Sequence, residues 1–205
     1  NMWGYNRHTD QTVNIYSAFM QNEWKTERWG LLIGGRLDKH NMVDNVIFSP
    51  RANLRFNPTQ NINLRLSYSS GFRAPQAFDE DMHIENVGGT VAMIERAKDL
   101  KEEKSQSFSV SADMYHRFGA FQTNLLIEGF YTRLTDVFVL GKPYDRGDGI
   151  LVKTRSNGPG AKVMGLTLEG KVAYLSILQI QAGLTLQRSR YDEPHKWHDD
   201  APAEK

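Results

Sequence analysis

Over long stretches of this chain apolar and polar residues alternate one for one, and a period of two commits each stretch to a strand with one greasy and one wet face. The clearest case is Gln106 to Phe118, where Phe108, Val110, Ala112 and Met114 alternate with Ser107, Ser109, Ser111 and Asp113. Asn61 to Phe72, Gly165 to Tyr174 and Gln179 to Ser189 repeat the pattern. Thr12 to Trp24, Trp29 to Asp38, Ile47 to Asn57 and Phe121 to Leu134 follow it less regularly but are rich in β-branched and aromatic residues. Apolar residues do not recur at helical spacing, so the reading is all-β with about eight strands.

The links between these segments alternate in length. Trp24 to Trp29, Asn57 to Asn61, Phe118 to Phe121 and Tyr174 to Gln179 are hairpin-tight, and the second is the turn Asn57-Pro58-Thr59-Gln60. Between them run longer connections, Lys39 to Val46, Ala74 to Lys104 and Thr135 to Lys162. An antiparallel up-and-down transmembrane β-barrel has this asymmetry, with short turns at the periplasmic rim and long loops outside. Trp24, Trp29, Phe56, Phe118, Phe121 and Tyr174 gather beside the short turns, where interfacial aromatics belong. The apolar faces would then meet lipid and the polar faces a wet or plugged lumen; a lipocalin-like barrel would reverse the two.

Composition closes other routes. Lys and Arg total 25 against 24 Asp and Glu, so no field favours nucleic acid. There is no cysteine, hence no disulfide framework, thiolate metal site or cysteine nucleophile. No run of about eighteen apolar residues exists to make a spanning helix, a test to which barrel strands are blind. Asn1 to Asp10 does not read as a signal peptide, and the chain is expected to be cut from a longer precursor.

Three boxes carry a family resemblance. Gly71-Phe72-Arg73-Ala74-Pro75, where a strand gives way to the longest loop, resembles the "FRAP" box of TonB-dependent outer-membrane receptors. Asp99-Leu100-Lys101-Glu102-Glu103-Lys104-Ser105 resembles that family's "NPDLKPEKS" segment, with Ala97-Lys98 in place of Asn-Pro and Glu102 in place of the second proline. Asn157-Gly158 followed by Gly165-Leu166-Thr167-Leu168-Glu169-Gly170 is similar to its "N-x-G…G-x-E-x-E" strand start, with Thr167 where an acidic residue is usual. The resemblance implies a barrel of about 22 strands closed by an N-terminal plug. Residues 1–205 would then be a partial barrel domain, with the plug and the first and last strands absent. It further implies a bacterial outer-membrane location and TonB-energised uptake of a scarce bulky ligand such as an iron–siderophore, haem or cobalamin. The implied partners are the TonB complex, reached through the missing N-terminal region, the extracellular ligand and outer-membrane lipid.

Within the first box, Pro75 lacks an amide donor and should end the ladder, while Gly71 is expected to serve a bend. The box itself is expected to shape the rim rather than touch substrate. In the following loop Asp79, Glu80, Asp81 and His83 form an oxygen-rich cluster, the candidate for extracellular ligand contact, which acidic loops more often leave solvated. Asp192, Glu193, His195, His198, Asp199 and Asp200 crowd a second such stretch, also best read as a solvated loop. Asp145-Arg146-Gly147-Asp148-Gly149 reads as turn chemistry. No nucleophile elbow, zinc-hydrolase pair, phosphate loop or dinucleotide fingerprint is found, so neither a reaction centre nor a resident metal or cofactor is expected. The strand pattern alone also fits a non-transporting barrel, such as a porin or a surface-binding adhesin, and a soluble antiparallel β domain.

Overall fold

In a computed structural model the fold is described for residues 2–4, 7–9, 11–75, 85–87, 90–147, 151–175 and 177–193. A short hairpin, β1 (Met2–Gly4) with β2 (Arg7–Thr9), precedes two long strands, β3 (Ile15–Lys25) and β4 (Trp29–His40). Two more follow, β5 (Ile47–Thr59) and β6 (Ile62–Arg73). The loop after them holds β7 (Glu85–Val87) and β8 (Thr90–Arg96). Next come β9 (Glu103–Phe118) and β10 (Phe121–Thr135), and a second loop with β11 (Phe138–Leu140), β12 (Tyr144–Asp145) and β13 (Leu151–Asn157). The long strands β14 (Ala161–Tyr174) and β15 (Leu178–Tyr191) complete the described fold.

The eight long strands form one antiparallel sheet in the order β15-β14-β10-β9-β6-β5-β4-β3, each beside its sequence neighbour among the long strands. All eight segments read from alternation are there, as an up-and-down meander. Among the described residues no helix is long and apolar enough to cross a membrane, so crossing falls to strands.

The register lines side chains into rows across the whole sheet. Leu186, Leu166, Gly129, Val110, Leu66, Leu54, Leu31 and Trp24 stand opposite one another in succession, an apolar row touching every strand. One residue away on each strand, and therefore on the other face, run Thr185, Thr167, Glu128, Ser111, Arg65, Arg55, Gly30 and Lys25.

Exposure tells the faces apart in a way alternation cannot. Val110 is 60% exposed, while its much smaller polar neighbours Ser109 and Ser111 are half-buried, and the same contrast recurs between Leu166 or Leu168 and Thr167. Side chains crowd on the concave face of a curved sheet and splay on the convex one, so the wet face is inside. The polar face is tied by its own hydrogen bonds. Thr167 and Thr185 hydroxyls lie 3.1 Å apart, Ser107 and Thr132 2.9 Å apart, and Asn53 Nδ2 donates to Ser67 Oγ at 2.8 Å.

Aromatic rings close the apolar band at both ends. Beside the short turns Trp29 stacks on Phe56 at 4.2 Å between centroids, and Phe118, Phe121 and Tyr174 form a chain at 5.6 and 5.0 Å. Towards the long loops Tyr68 meets Phe108 at 4.7 Å, and Tyr131 stands opposite Phe108. Phe108 and Phe118 are ten residues apart on β9. At ~3.4 Å per residue and a tilt of about 40° the two girdles are separated by roughly 26 Å, the height of a membrane band.

Two turn readings need correction. The chain does not turn at Asn57-Pro58: β5 runs through Thr59, and Gln60 and Asn61 make the turn. Pro58 has no N–H to give the ladder, so the register shifts between Phe56 and Thr59 as a bulge, and Asn57 Oδ1 accepts from Asn63 Nδ2 at 2.9 Å. Gly71 is not at a bend but inside β6, opposite Ser105; a Cβ there would lie 3.1 Å from Ser105 Oγ, so glycine serves close strand packing.

The sidedness is testable. In the receptor barrel reconstituted in phospholipid vesicles, Leu168→Arg should destabilise by about 2–4 kcal/mol in denaturant titration, because it sets a charge near the middle of the lipid band. Thr167→Arg, on the wet face, should change stability by about 0.5 kcal/mol or less.

Candidate functional site

Above the upper girdle the strands leave the sheet, and this outer rim is where the three sequence boxes meet. β6 ends at Arg73, opposite Glu103, and Pro75 follows two residues later, so the ladder stops where a residue without an amide donor requires it. Ala74 is buried against Val43 and Ile47, with Phe72 packed on that cluster. The Arg73 guanidinium lies 5.5 Å from the centre of the Phe138 ring, and the Pro75 carbonyl accepts from Arg96 Nη1 at 3.0 Å. The contacts described for Phe72 to Pro75 are thus with other rim residues.

The second and third boxes are clasped by one side chain. Asn157 Oδ1 accepts the Lys101 N–H at 2.7 Å, and Asn157 Nδ2 donates to the Lys101 carbonyl at 3.0 Å and the Asp136 carbonyl at 2.8 Å. Glu103 adds a fourth bond by accepting the Phe138 N–H at 3.0 Å. Gly158 packs so close that a Cβ would sit 2.7 Å from Val139 Cγ1. Each of these bonds satisfies a backbone N–H or C=O at the rim.

The two long loops are joined by a second sheet that the alternation did not announce. β13 runs parallel to β8, from Leu151 opposite Ala92 to Arg155 opposite Arg96, and β7, β11 and β12 pair onto this core. Met93, Ile94 and Val152 are buried here, as is Arg155. Arg146 and Glu95 form an ion pair between the loops at 3.4 Å. Beside this sheet opens a cleft of about 470 Å³ lined by Met42, Pro75, Glu95, Arg96, Lys98 and Leu100. With two cations and one carboxylate on its walls it can take a polar ligand with exposed anionic groups.

Of the residues read from sequence as candidate ligand contacts, Asp79, Glu80, Asp81 and His83 lie outside the described residues, as do His195, His198, Asp199 and Asp200. Among the described residues no group of His, Asp and Glu is arranged to hold a metal ion. Asp145-Arg146-Gly147 is a turn: Gly147 has φ +96° and donates to Asp145 Oδ1 at 2.7 Å. Asp192 is ion-paired to Lys162 at 2.7 Å. Its carboxyl sits below the usual carboxylate range chiefly because Lys162 donates a hydrogen bond to it; desolvation opposes this, and the charges of Lys162 and then Arg133 add to the lowering. Sequence reading missed Asn157 as a clasp and Arg96 as a cleft residue, since neither role has a local signal.

Comparison with known proteins agrees with this architecture. Residues 2–203 match the family described as TonB dependent receptor-like, beta-barrel, and the chain belongs to that family, which is one of outer-membrane transporters and not of enzymes. Among solved structures it resembles the siderophore receptor PirA from Pseudomonas aeruginosa, with 17% identity and a TM-score of 0.74 over 88% of this chain and 35% of that one. It is also similar to the FrpB iron transporter from Neisseria meningitidis (F3-3 variant), with 17% identity and a TM-score of 0.62 over 87% of this chain and 26% of that one. The outer membrane transporter YddB from Escherichia coli matches with 17% identity and a TM-score of 0.67 over 87% of this chain and 25% of that one. At these identities the likeness is one of fold. No curated protein matches the chain by sequence. The chain therefore spans about a third of the length of PirA and about a quarter of the other two.

The clasp gives a local prediction. Asn157→Ala removes three hydrogen bonds to backbone groups at the rim, worth about 1 kcal/mol each. Amide exchange at Lys101 and protease cleavage between residues 136 and 160 should both accelerate, while the strand amides of β9 and β10 keep their protection.

Proposed function

We propose that the chain is the central arc of a plugged, TonB-energised importer that captures a scarce, bulky, anionic ligand at its outer rim, an iron–siderophore complex being the leading candidate. The observation that carries the reading is the outer rim itself. Two long loops are locked together by a parallel strand pair and an Asn157 clasp, and they border a cleft bearing Arg96 and Lys98. The family supports import, and the iron and siderophore receptors among the matched structures support this class of ligand.

The wet face supports a plugged lumen. Arg55 and Arg65 stand directly opposite each other on β5 and β6. Like charges so placed repel unless a carboxylate sits between them, and a plug inserted into the barrel is the natural source of one. Coupling to TonB would then pass through that plug, and no bond in the ligand need be made or broken. Asp79, Glu80, Asp81 and His83, in the connection from Ala74 to Lys104, are the further ligand contacts this reading proposes.

Growth of a deletion strain on single iron, cobalamin and glycan sources tests the reading. A defect confined to a siderophore-bound iron source is expected, complemented by the intact gene but not by an Arg96→Ala, Lys98→Ala version. Normal growth on every source would rule out import of these ligands, and a defect on the glycan or cobalamin source alone would replace the ligand class.

A further inference from the structure

On the wet face, where β4 and β5 adjoin, Arg36 of β4 and Arg51 and Arg55 of β5 stand opposite Ser49, Gly34 and Gly30. Arg36 is ion-paired to Asp38 at 2.7 Å, but the pair presents its charges unequally, with the Arg36 side chain 52% exposed and that of Asp38 only 2%. The Ser17 hydroxyl donates to the same carboxylate at 2.6 Å. What this pair shows to the bore is therefore its guanidinium.

Arg51 and Arg55 lie along the wall, each over a glycine of β4. A Cβ on Gly34 would stand 3.4 Å from Arg51 Nε, and one on Gly30 would stand 3.3 Å from Arg55 Nε. Arg51 reaches on across β4, where its Nη2 donates to Gln21 Oε1 of β3. Among the described residues no carboxylate is paired with either arginine. Glu23, on the wet face of β3 beside them, is itself paired with Lys25 at 3.0 Å. Glycine at both positions lets two long cations rest on the wall and leaves the bore open beside them. From the level of Arg36 to that of Arg55 is six residues of β5, roughly 16 Å of height at ~3.4 Å per residue and a tilt of about 40°. Elsewhere the wet face is mixed: β9, β10 and β14 carry Asp113, Glu128 and Glu169 there as well as Arg117 and Lys171.

We propose that Arg36, Arg51 and Arg55 form an anion lane down one side of the bore, which guides the ligand's negative groups from the rim cleft towards the periplasmic mouth. This assignment rests on the reading of the protein as an importer of an anionic ligand. The cleft stands at the head of the lane, because Met42, on its wall, belongs to the connection between β4 and β5. Conduction needs sites that attract a charge and then let it go, and exposed, screened guanidinium groups repeated at three heights meet that need better than one buried, tightly paired cation. Each presents several donors, so an anion is able to form bonds at the next arginine before it gives up those at the last.

The test separates capture from passage in cells that make the full-length receptor, with the ferric complex of a tris-catecholate chelator, labelled with radioactive iron, as probe. Binding is read on de-energised cells and uptake on energised ones. R51Q combined with R55Q should slow uptake at saturating probe by roughly tenfold and leave surface affinity unchanged, while R51K with R55K, which keeps the charges, should restore most of the rate. Q21E, which sets a carboxylate against Arg51, should also slow uptake, and it decides the matter if the double variant fails to fold. Uptake at the normal rate in a folded, probe-binding R51Q/R55Q or Q21E receptor would overturn the lane alone. So would a parallel loss of surface affinity, which would make these arginines part of capture, or a rise in passive entry of a bulky antibiotic, which would assign them to seating the plug. Absence of probe binding by the unaltered receptor would overturn the ligand class and the lane with it.

Discussion

The constraint on which this structure depends is that hydrocarbon offers no hydrogen bonds. A backbone N–H or C=O inside the band between the two aromatic girdles must find its partner in a neighbouring strand. That requirement makes the long strands pair along nearly their whole length, with tight turns at one end. It also concerns β3 and β15, which border the sheet on one side each and are exposed along almost their entire lengths. Such edges are satisfied in a membrane when further strands continue the ladder on both sides, as barrel closure provides.

The same accounting explains the rim. Where β6, β9, β10 and β14 leave the band, their backbone groups lose ladder partners within a few residues, and side chains take over. Asn157 serves both backbone groups of Lys101 and the carbonyl of Asp136, and Glu103 serves the N–H of Phe138. The first two boxes and Asn157-Gly158 of the third are therefore the residues that let strands end cleanly and loops depart in a fixed direction. A site on such loops inherits its rigidity from these few bonds, which is why a braced rim and a ligand-sized cleft occur side by side.

How much of this was readable from sequence follows from what a period of two reports. It reports a strand with two unlike faces, so the eight long strands, their order and their short turns were legible from residues such as Phe108, Val110 and Leu166. It is silent about β8 and β13. There the adjacent residues Met93 and Ile94 are both buried, and the buried residues of β13, Val152 and Arg155, are three apart, so alternation is lost. Their pairing is parallel and joins residues more than fifty positions apart, which no local pattern encodes. Gly71 illustrates a subtler limit. A glycine before a loop suggests conformational freedom, but here it provides space against Ser105, and only the cross-strand register distinguishes the two uses. The three boxes were legible as words, but their mutual contacts were not, because Asn157 and Lys101 meet only once β9, β10 and β14 are laid side by side.

Alternation also leaves sidedness open, and its resolution bears on how the outer wall meets its surroundings. On this sheet large apolar residues such as Val110 and Leu186 are about 60% exposed, while small hydroxyl residues on the opposite face are more sheltered. In water this arrangement would drive association; against lipid it is the stable one, and the belt needs no further explanation.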